Sequence, residues 1–237
     1  MKKKIACIIS CYNEKENIPI VLKQILENKL NERIHFVIVD NASSDNSNLL
    51  FKAYENKYNN IDFLINDNDI GWGYGIKFGL QKVSADIVGW THSDLQYELK
   101  DLVKVLDLID INEKNFTNNN FLIKGQRNSR KILDNFFSIM MKGLCSLILN
   151  QKFSEINAQP VFINYSQLKH MDLPNGLEMD LYIYYMSLMN KSKIHRINVL
   201  QNKRSFGSSS WNNNIFSKIK LSYKFLKYAM KLKIKNG

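Results

Sequence analysis

Apolar residues fall in short blocks along the first 110 positions, and the blocks alternate between two periods. Ile5 to Ile9 is a continuous apolar run of strand length. Residues 16–28 place Ile18, Val21, Leu22, Ile25 and Leu26 on one helical face. Ile34 to Val39 is a second buried strand ending at Asp40, and Ser43-Ser44-Asp45 supplies capping chemistry for a helix to about Tyr58. Ile61 to Ile65 is a third strand. Gly71-Trp72-Gly73-Tyr74-Gly75 then leads into a helix to about Val83. A fourth strand, Ile87 to Trp90, precedes a helix from about Leu99 to Ile109. Strands alternating with helices predict an α/β fold with a mostly parallel sheet and right-handed crossovers.

The second half is less regular. Asn112 to Asn120 reads as a polar loop, and Phe121 to Ile123 as a short strand ending at Gly125-Gln126-Arg127. An apolar helix is predicted over 132–149, a strand over 161–163 and a helix near 166–171. A helix over 179–190 and a strand over 194–199 follow. Lys203 to Asn214 is a Ser- and Asn-rich loop, and Ile215 to about Lys233 is a basic amphipathic helix.

The 237 residues suit one large α/β domain with an appendage. No uninterrupted apolar run reaches ~18 residues, so no transmembrane helix is expected, and the N-terminus lacks the layout of a signal peptide. Cys7, Cys11 and Cys145 are odd in number and lack zinc spacing, which suggests reduced thiols in a cytoplasmic protein. The net charge of +11 is uneven: residues 181–237 hold 12 Lys and Arg and no acid, while residues 1–180 hold 21 basic against 22 acidic residues. That asymmetry points to an anionic surface at the C-terminal end. The basic segment lacks the interleaved aromatic platform of a nucleic-acid binder, so no nucleic-acid partner is expected.

Three polar clusters follow three strands: Ser10-Cys11-Tyr12-Asn13-Glu14, Asp40-Asn41-Ala42-Ser43, and His92-Ser93-Asp94-Leu95-Gln96. Parallel strands bring such clusters to one sheet edge, where open α/β sheets bind ligands. Asp94 and Gln96 are hard oxygen donors suited to Mg²⁺ or Mn²⁺.

These clusters resemble the signatures of family 2 glycosyltransferases of the GT-A fold, and within that family the dolichyl- and polyprenyl-phosphate sugar transferases. Ser10 to Glu14 resembles Pro-x-Tyr-Asn-Glu with Ser for Pro. Val39 to Ser43 resembles Val-Asp-(Asp/Asn)-x-Ser, and His92 to Gln96 resembles Asp-Ala-Asp-Leu-Gln. Gly125-Gln126-Arg127 looks like Gly-x-Arg, and Arg204 to Ser209 like Arg-x-x-Gly-x-Ser. Asn157 to Pro160 sits where relatives turn beneath the acceptor site. The resemblance covers about residues 4–210, implying a catalytic domain over 1–210 and a basic amphipathic helix over 211–237.

The resemblance implies a metal-dependent, inverting transfer from a nucleotide sugar to a polyprenyl phosphate. The setting would be the cytoplasmic face of the membrane, with the protein held there peripherally. Ser10, Tyr12, Glu14, Asp40, His92, Ser93 and Asp94 would bind the nucleotide sugar, and Asp94 with Gln96 the metal. Arg127 and Arg130 would bind the acceptor phosphate, and Arg204 the donor diphosphate when its loop closes. Asp180, beside Glu178, is the candidate base for a sugar hydroxyl acceptor, and otherwise orients the donor; a phosphate acceptor is already ionised and needs no base. Transfer to a glycan and an inactive sugar-nucleotide or lipid binder are the alternatives.

Two positions depart from the family. Relatives usually carry Asp at the position of His92 and often Lys at Ser210. His92 as a softer ligand would favour Mn²⁺. It would otherwise hydrogen-bond the sugar or diphosphate, the preferred reading, or mark a damaged metal site.

Overall fold

The computed structural model describes residues 3–68, 70–113, 116, 119–127, 132–204, 206 and 215–236. The strands are β1 (Ile5–Cys11), β2 (Ile34–Asn41), β3 (Ile61–Asn66), β4 (Ile87–His92), β5 (Phe121–Arg127), β6 (Val161–Asn164) and β7 (Lys193–Val199). They form one sheet of seven strands in the order β3-β2-β1-β4-β6-β5-β7. Strands β1 to β4 are mutually parallel. β6 runs antiparallel to both neighbours, and β7 is parallel to β5. The sheet is therefore mostly parallel, as the alternation predicts.

The helices are α1 (Ile18–Glu27), α2 (Ser47–Tyr54), α3 (Trp72–Leu80), α4 (Leu102–Ile111), α5 (Ile132–Leu149), α6 (Tyr165–Leu168), α7 (Met179–Met189) and α8 (Ile215–Asn236). They cover both faces of the sheet and enclose two cores. One core packs Ile9, Ile38, Phe51 and Leu102 together; the other packs Ile8, Trp90, Cys145, Tyr184 and Phe225. Strands β1 and β2 are buried along almost their whole length, which explains their unbroken apolar runs.

Several boundaries differ from the sequence expectation, each for a local reason. α2 stops at Tyr54 rather than near Tyr58 because Glu55 is extended and Asn56 takes a left-handed backbone at φ 58°. α3 ends at Leu80, before Val83. β5 continues to Arg127 because it pairs with β7 over seven residues. The polar loop after α4 carries an apolar anchor: Phe116 is buried and stacks on Phe121 with ring centroids 3.9 Å apart.

α8 is built into the fold. It packs against α5, and Ser222, Phe225, Ala229 and Leu232 are buried along one of its faces. No helix among the described residues is long and apolar enough to cross a membrane. Cys7, Cys11 and Cys145 are all buried and unbridged. Burial raises all three thiols, Cys145 to about 11, so they are inert at neutral pH.

Candidate active site

The register of the sheet sets the site. Cys11 lies opposite Asp40 on β2, and Ser10 lies opposite His92 on β4. Three strand ends thus deliver their polar clusters to one edge, at the point where the strand order departs to either side of β1. Each loop that follows contains a non-glycine residue in the left-handed region: Asn13 at φ 55°, Ala42 at 59° and Leu95 at 58°. Such conformations cost energy, about 1–3 kcal/mol each, and gather at ligand sites.

Hydrogen bonds lock the first two loops together. Asn13 N–H donates to Ser43 Oγ at 2.9 Å, Ser44 N–H to Asn13 Oδ1 at 2.8 Å, and Lys15 N–H to Asp45 Oδ2 at 2.9 Å. Asp40 is 1% exposed and accepts from the Ser43 backbone at 3.3 Å. Burial raises its carboxyl above the usual range, against the opposing bonds from Ser43. Tyr12 remains exposed at 43%, so its ring is available as a platform.

The third loop carries the oxygen donors. Asp94 Oδ1 accepts the Gln96 backbone N–H at 3.1 Å, which fixes the carboxylate in a partly exposed position. Ser93 is buried, and its hydroxyl points to the Ser10 carbonyl at 3.4 Å. His92 lies between two aromatic rings, 4.9 Å from Trp72 and 6.4 Å from Tyr97 by ring centroids. Trp72 escaped the sequence reading, although the Gly-rich run at the start of α3 was its signal. Its Nε1 is buried with no hydrogen-bond partner.

Among the described residues, no three His, Cys, Asp or Glu side chains cluster as a metal site. The donor set here is one oriented carboxylate, Asp94, with the amide of Gln96 two residues on. That fits Mg²⁺ or Mn²⁺ held in the manner of nucleotide enzymes, by one or two carboxylates and the substrate's own phosphates.

The glycines of α3 bring its N-terminus against the site. A Cβ on Gly75 would collide with the Ser10 hydroxyl, and one on Gly73 would lie 2.6 Å from the Pro174 carbonyl. Asn41 donates to the Gly71 carbonyl at 3.2 Å and accepts from Asn66 at 2.7 Å, so β2, β3 and α3 share one polar junction.

Glu14 and Arg204 meet directly in an ion pair, and Glu14 also accepts from Asn17. Burial raises the Glu14 carboxyl, opposed by Asn17 and Arg204. Arg204 additionally donates to the Phe206 carbonyl at 2.8 Å. Arg204 is thereby held against the strand-end site. The Gly-x-Ser part of that loop and Ser210 lie outside the described residues.

The carboxylate of Asp180, which the resemblance assigns to the acceptor side, is 2% exposed. It accepts from Trp90 Nε1 at 3.0 Å and from Gln159 Nε2 at 2.7 Å. Each oxygen keeps a lone pair, so burial rather than these two bonds opposes the general-base role that the sequence suggests for a sugar acceptor. Lys124 is fully buried nearby, its ammonium lowered to about 8 by desolvation, with Asp180 opposing that shift. Arg127 Nε donates to Glu155 Oε2 at 2.6 Å, so an incoming phosphate would compete with that carboxylate. Arg130 lies outside the described residues.

Strand-end loops bearing carboxylates, an exposed aromatic and an oxygen-donor turn define an α/β protein of the nucleotide-handling kind. The comparison with known families is specific: the model for glycosyl transferase family 2 matches residues 6–166. The chain belongs to that family.

Among curated proteins, it is 31% identical over 111 residues to the undecaprenyl-phosphate 4-deoxy-4-formamido-L-arabinose transferase of Photorhabdus laumondii. The match covers 44% of this chain and 34% of that protein. The Serratia proteamaculans protein of the same name is 32% identical over 111 residues, again 44% and 34%. The matched stretch thus spans about a third of these relatives. Among solved structures, glucosyl-3-phosphoglycerate synthase from Mycobacterium tuberculosis, in complex with Mn²⁺, UDP and glucosyl-3-phosphoglycerate, superposes with a TM-score of 0.71. It is 13% identical, over 98% of this chain and 80% of that one. That likeness establishes the shared fold.

Proposed function

We propose that the protein transfers a sugar from a nucleotide-sugar donor to a polyprenyl phosphate, with inversion, at the cytoplasmic face of a membrane. The observation that carries the choice of acceptor is the state of Asp180. Its carboxylate is 2% exposed and accepts one hydrogen bond at each oxygen, so a sugar hydroxyl has little access to it for proton abstraction. A phosphate acceptor arrives ionised and needs no base. The names of the curated relatives point to the same acceptor class.

Tyr12 offers its ring to the base, and Asp40 a carboxylate to base or ribose. Ser10 and Ser93 line the strand edge beneath the donor, and His92 lies where a hydrogen bond to sugar or diphosphate is within reach. Asp94 and Gln96 would hold a divalent cation, which when bound supplies positive charge to the departing nucleoside diphosphate. Arg204 reaches the same leaving group once the diphosphate draws it from Glu14. Arg127, released from Glu155, binds the acceptor phosphate by a fork of N–H donors, and Arg130 is proposed to assist. Asp180 then orients the chain around the donor sugar through Trp90 and Gln159. Transfer to a glycan is the competing reading, and it requires buried Asp180 to become accessible to the acceptor hydroxyl. An inactive binder is the other, suggested by His92 and Ser210.

The donor half of the proposal is tested by thermal shift with UDP-, GDP- and CDP-sugars, with and without Mn²⁺. One nucleotide series should raise the melting temperature, and more so with Mn²⁺. No shift with any of them would contradict the donor site.

A further inference from the structure

The apolar residues of α8 fall into two groups that the sequence alone does not separate. Phe225, Ala229 and Leu232 are buried against the body of the protein. Phe216, Ile219, Tyr223, Met230 and Ile234 remain exposed, at 81%, 52%, 63%, 47% and 84%. At ~100° per residue these five form a single stripe along the helix, separate from the buried face. The exposed lysines Lys220, Lys227 and Lys231 border the stripe on one side, and Lys233 borders it on the other. Lys224, further round, is turned to the body of the protein and pairs with Glu178 at 3.0 Å. The neighbouring helix α5 adds exposed Ile139, Met140, Leu144 and Leu147.

We infer that the exposed stripe of α8 is a docking surface for an anionic lipid bilayer, with the helix lying in the plane of the headgroups. Its core-facing side is already satisfied by the protein, so the stripe is a second apolar face, exposed and without a partner among the described residues. Its bordering cations fit lipid phosphates, while their stems cover apolar surface. A second copy fits poorly. Pairing two stripes about a twofold axis sets lysine rows near each other, and residues 181–237 hold no acid to offset them. A tyrosine within the stripe, Tyr223, suits the boundary between acyl chains and water. The inference rests on the acceptor reading only for its purpose, since a membrane-borne acceptor requires the enzyme at the surface.

The test uses the full chain with vesicles of phosphatidylcholine alone or mixed with phosphatidylglycerol. The protein should pellet with the anionic vesicles, weakly or not at all with the neutral ones, and less in high salt. Lys227→Gln with Lys231→Gln should weaken binding about 30-fold, since each cation near an anionic surface contributes about fivefold. Phe216→Glu with Ile234→Glu should abolish binding with an unchanged melting temperature. In a Tyr223→Trp variant, the added emission should shift to the blue on anionic vesicles, which tests the stripe even if the glutamate variant folds poorly.

Binding that ignores the glutamate substitutions, or an unshifted emission from the Tyr223→Trp variant, overturns the docking geometry. A vesicle-free dimer dissolved by the glutamate variant assigns the stripe to a second copy and also overturns it. Nucleotide-sugar turnover, with and without undecaprenyl phosphate in the vesicles, is measured on the same samples. If turnover occurs but anionic vesicles are ignored, the docking inference fails alone. If vesicles are bound as described while no nucleotide sugar is turned over in either case, glycosyl transfer fails and the docking surface stands.

Discussion

Asp94 is the residue on which the proposed chemistry depends most. Its partly exposed carboxylate is oriented by the Gln96 backbone, and two residues before it His92 lies between Trp72 and Tyr97. Asp94→Asn should reduce transfer by about 10³-fold, on the scale of losing a preorganised electrostatic contact. Its melting temperature should stay within about 2 °C of the parent. Initial rates at saturating Mn²⁺ check this, and near-normal turnover would remove Asp94 from the metal site. Glu14 gives a second prediction at this scale. Burial raises its carboxyl above the usual 4.5, so the fold favours the protonated form. Its contribution to stability is present below pH 4.5 and is lost as pH rises through the raised value. Glu14→Gln should therefore gain stability relative to the parent as pH goes from about 4 to 7. Parallel denaturant titrations across that range read the difference, and a constant or shrinking gap would contradict it.

At the scale of elements, the sequence was informative wherever a strand end carried its own chemistry. Ser10, Asp40 and His92 were placed at one edge because parallel strands linked by crossovers must end on the same side, and the register confirms their adjacency. Strand direction in the second half was not legible, since a buried strand has the same apolar run whichever way it points; β6 is antiparallel to both neighbours. Trp72 was missed because its contact with His92 joins α3 to β4, and no local period reports that. Glu14 and Arg204 stand 190 residues apart, so their pairing is a tertiary fact. α8 shows the same limit in another form. Its periodicity announces an amphipathic helix, but not which apolar residues the protein keeps for itself. Phe225 is fully buried, so Phe225→Ala should destabilise the whole protein by about 3–5 kcal/mol. Chemical denaturation reads this directly. A cost below about 1 kcal/mol would show α8 to be a detachable appendage after all.

For the molecule as a whole, charge, core and site divide the labour along the chain. Residues 1–180 are nearly neutral and supply the three clusters of the strand-edge site, while the basic remainder supplies Arg204 and the exposed lysines of α8. The two halves meet at the ion pairs Glu14–Arg204 and Glu178–Lys224. A donor entering the site and a lipid surface beneath α8 would thus act on the same body of protein. Transfer from a nucleotide sugar to a lipid phosphate is tested most directly by supplying radiolabelled nucleotide sugars with Mn²⁺ to the protein on vesicles containing undecaprenyl phosphate, and counting label extracted into organic solvent. Label is expected in a lipid product that mild acid releases as free sugar, and none with Asp94→Asn. Nucleoside diphosphate release with label appearing only in an added glycan, and never in lipid, would contradict it.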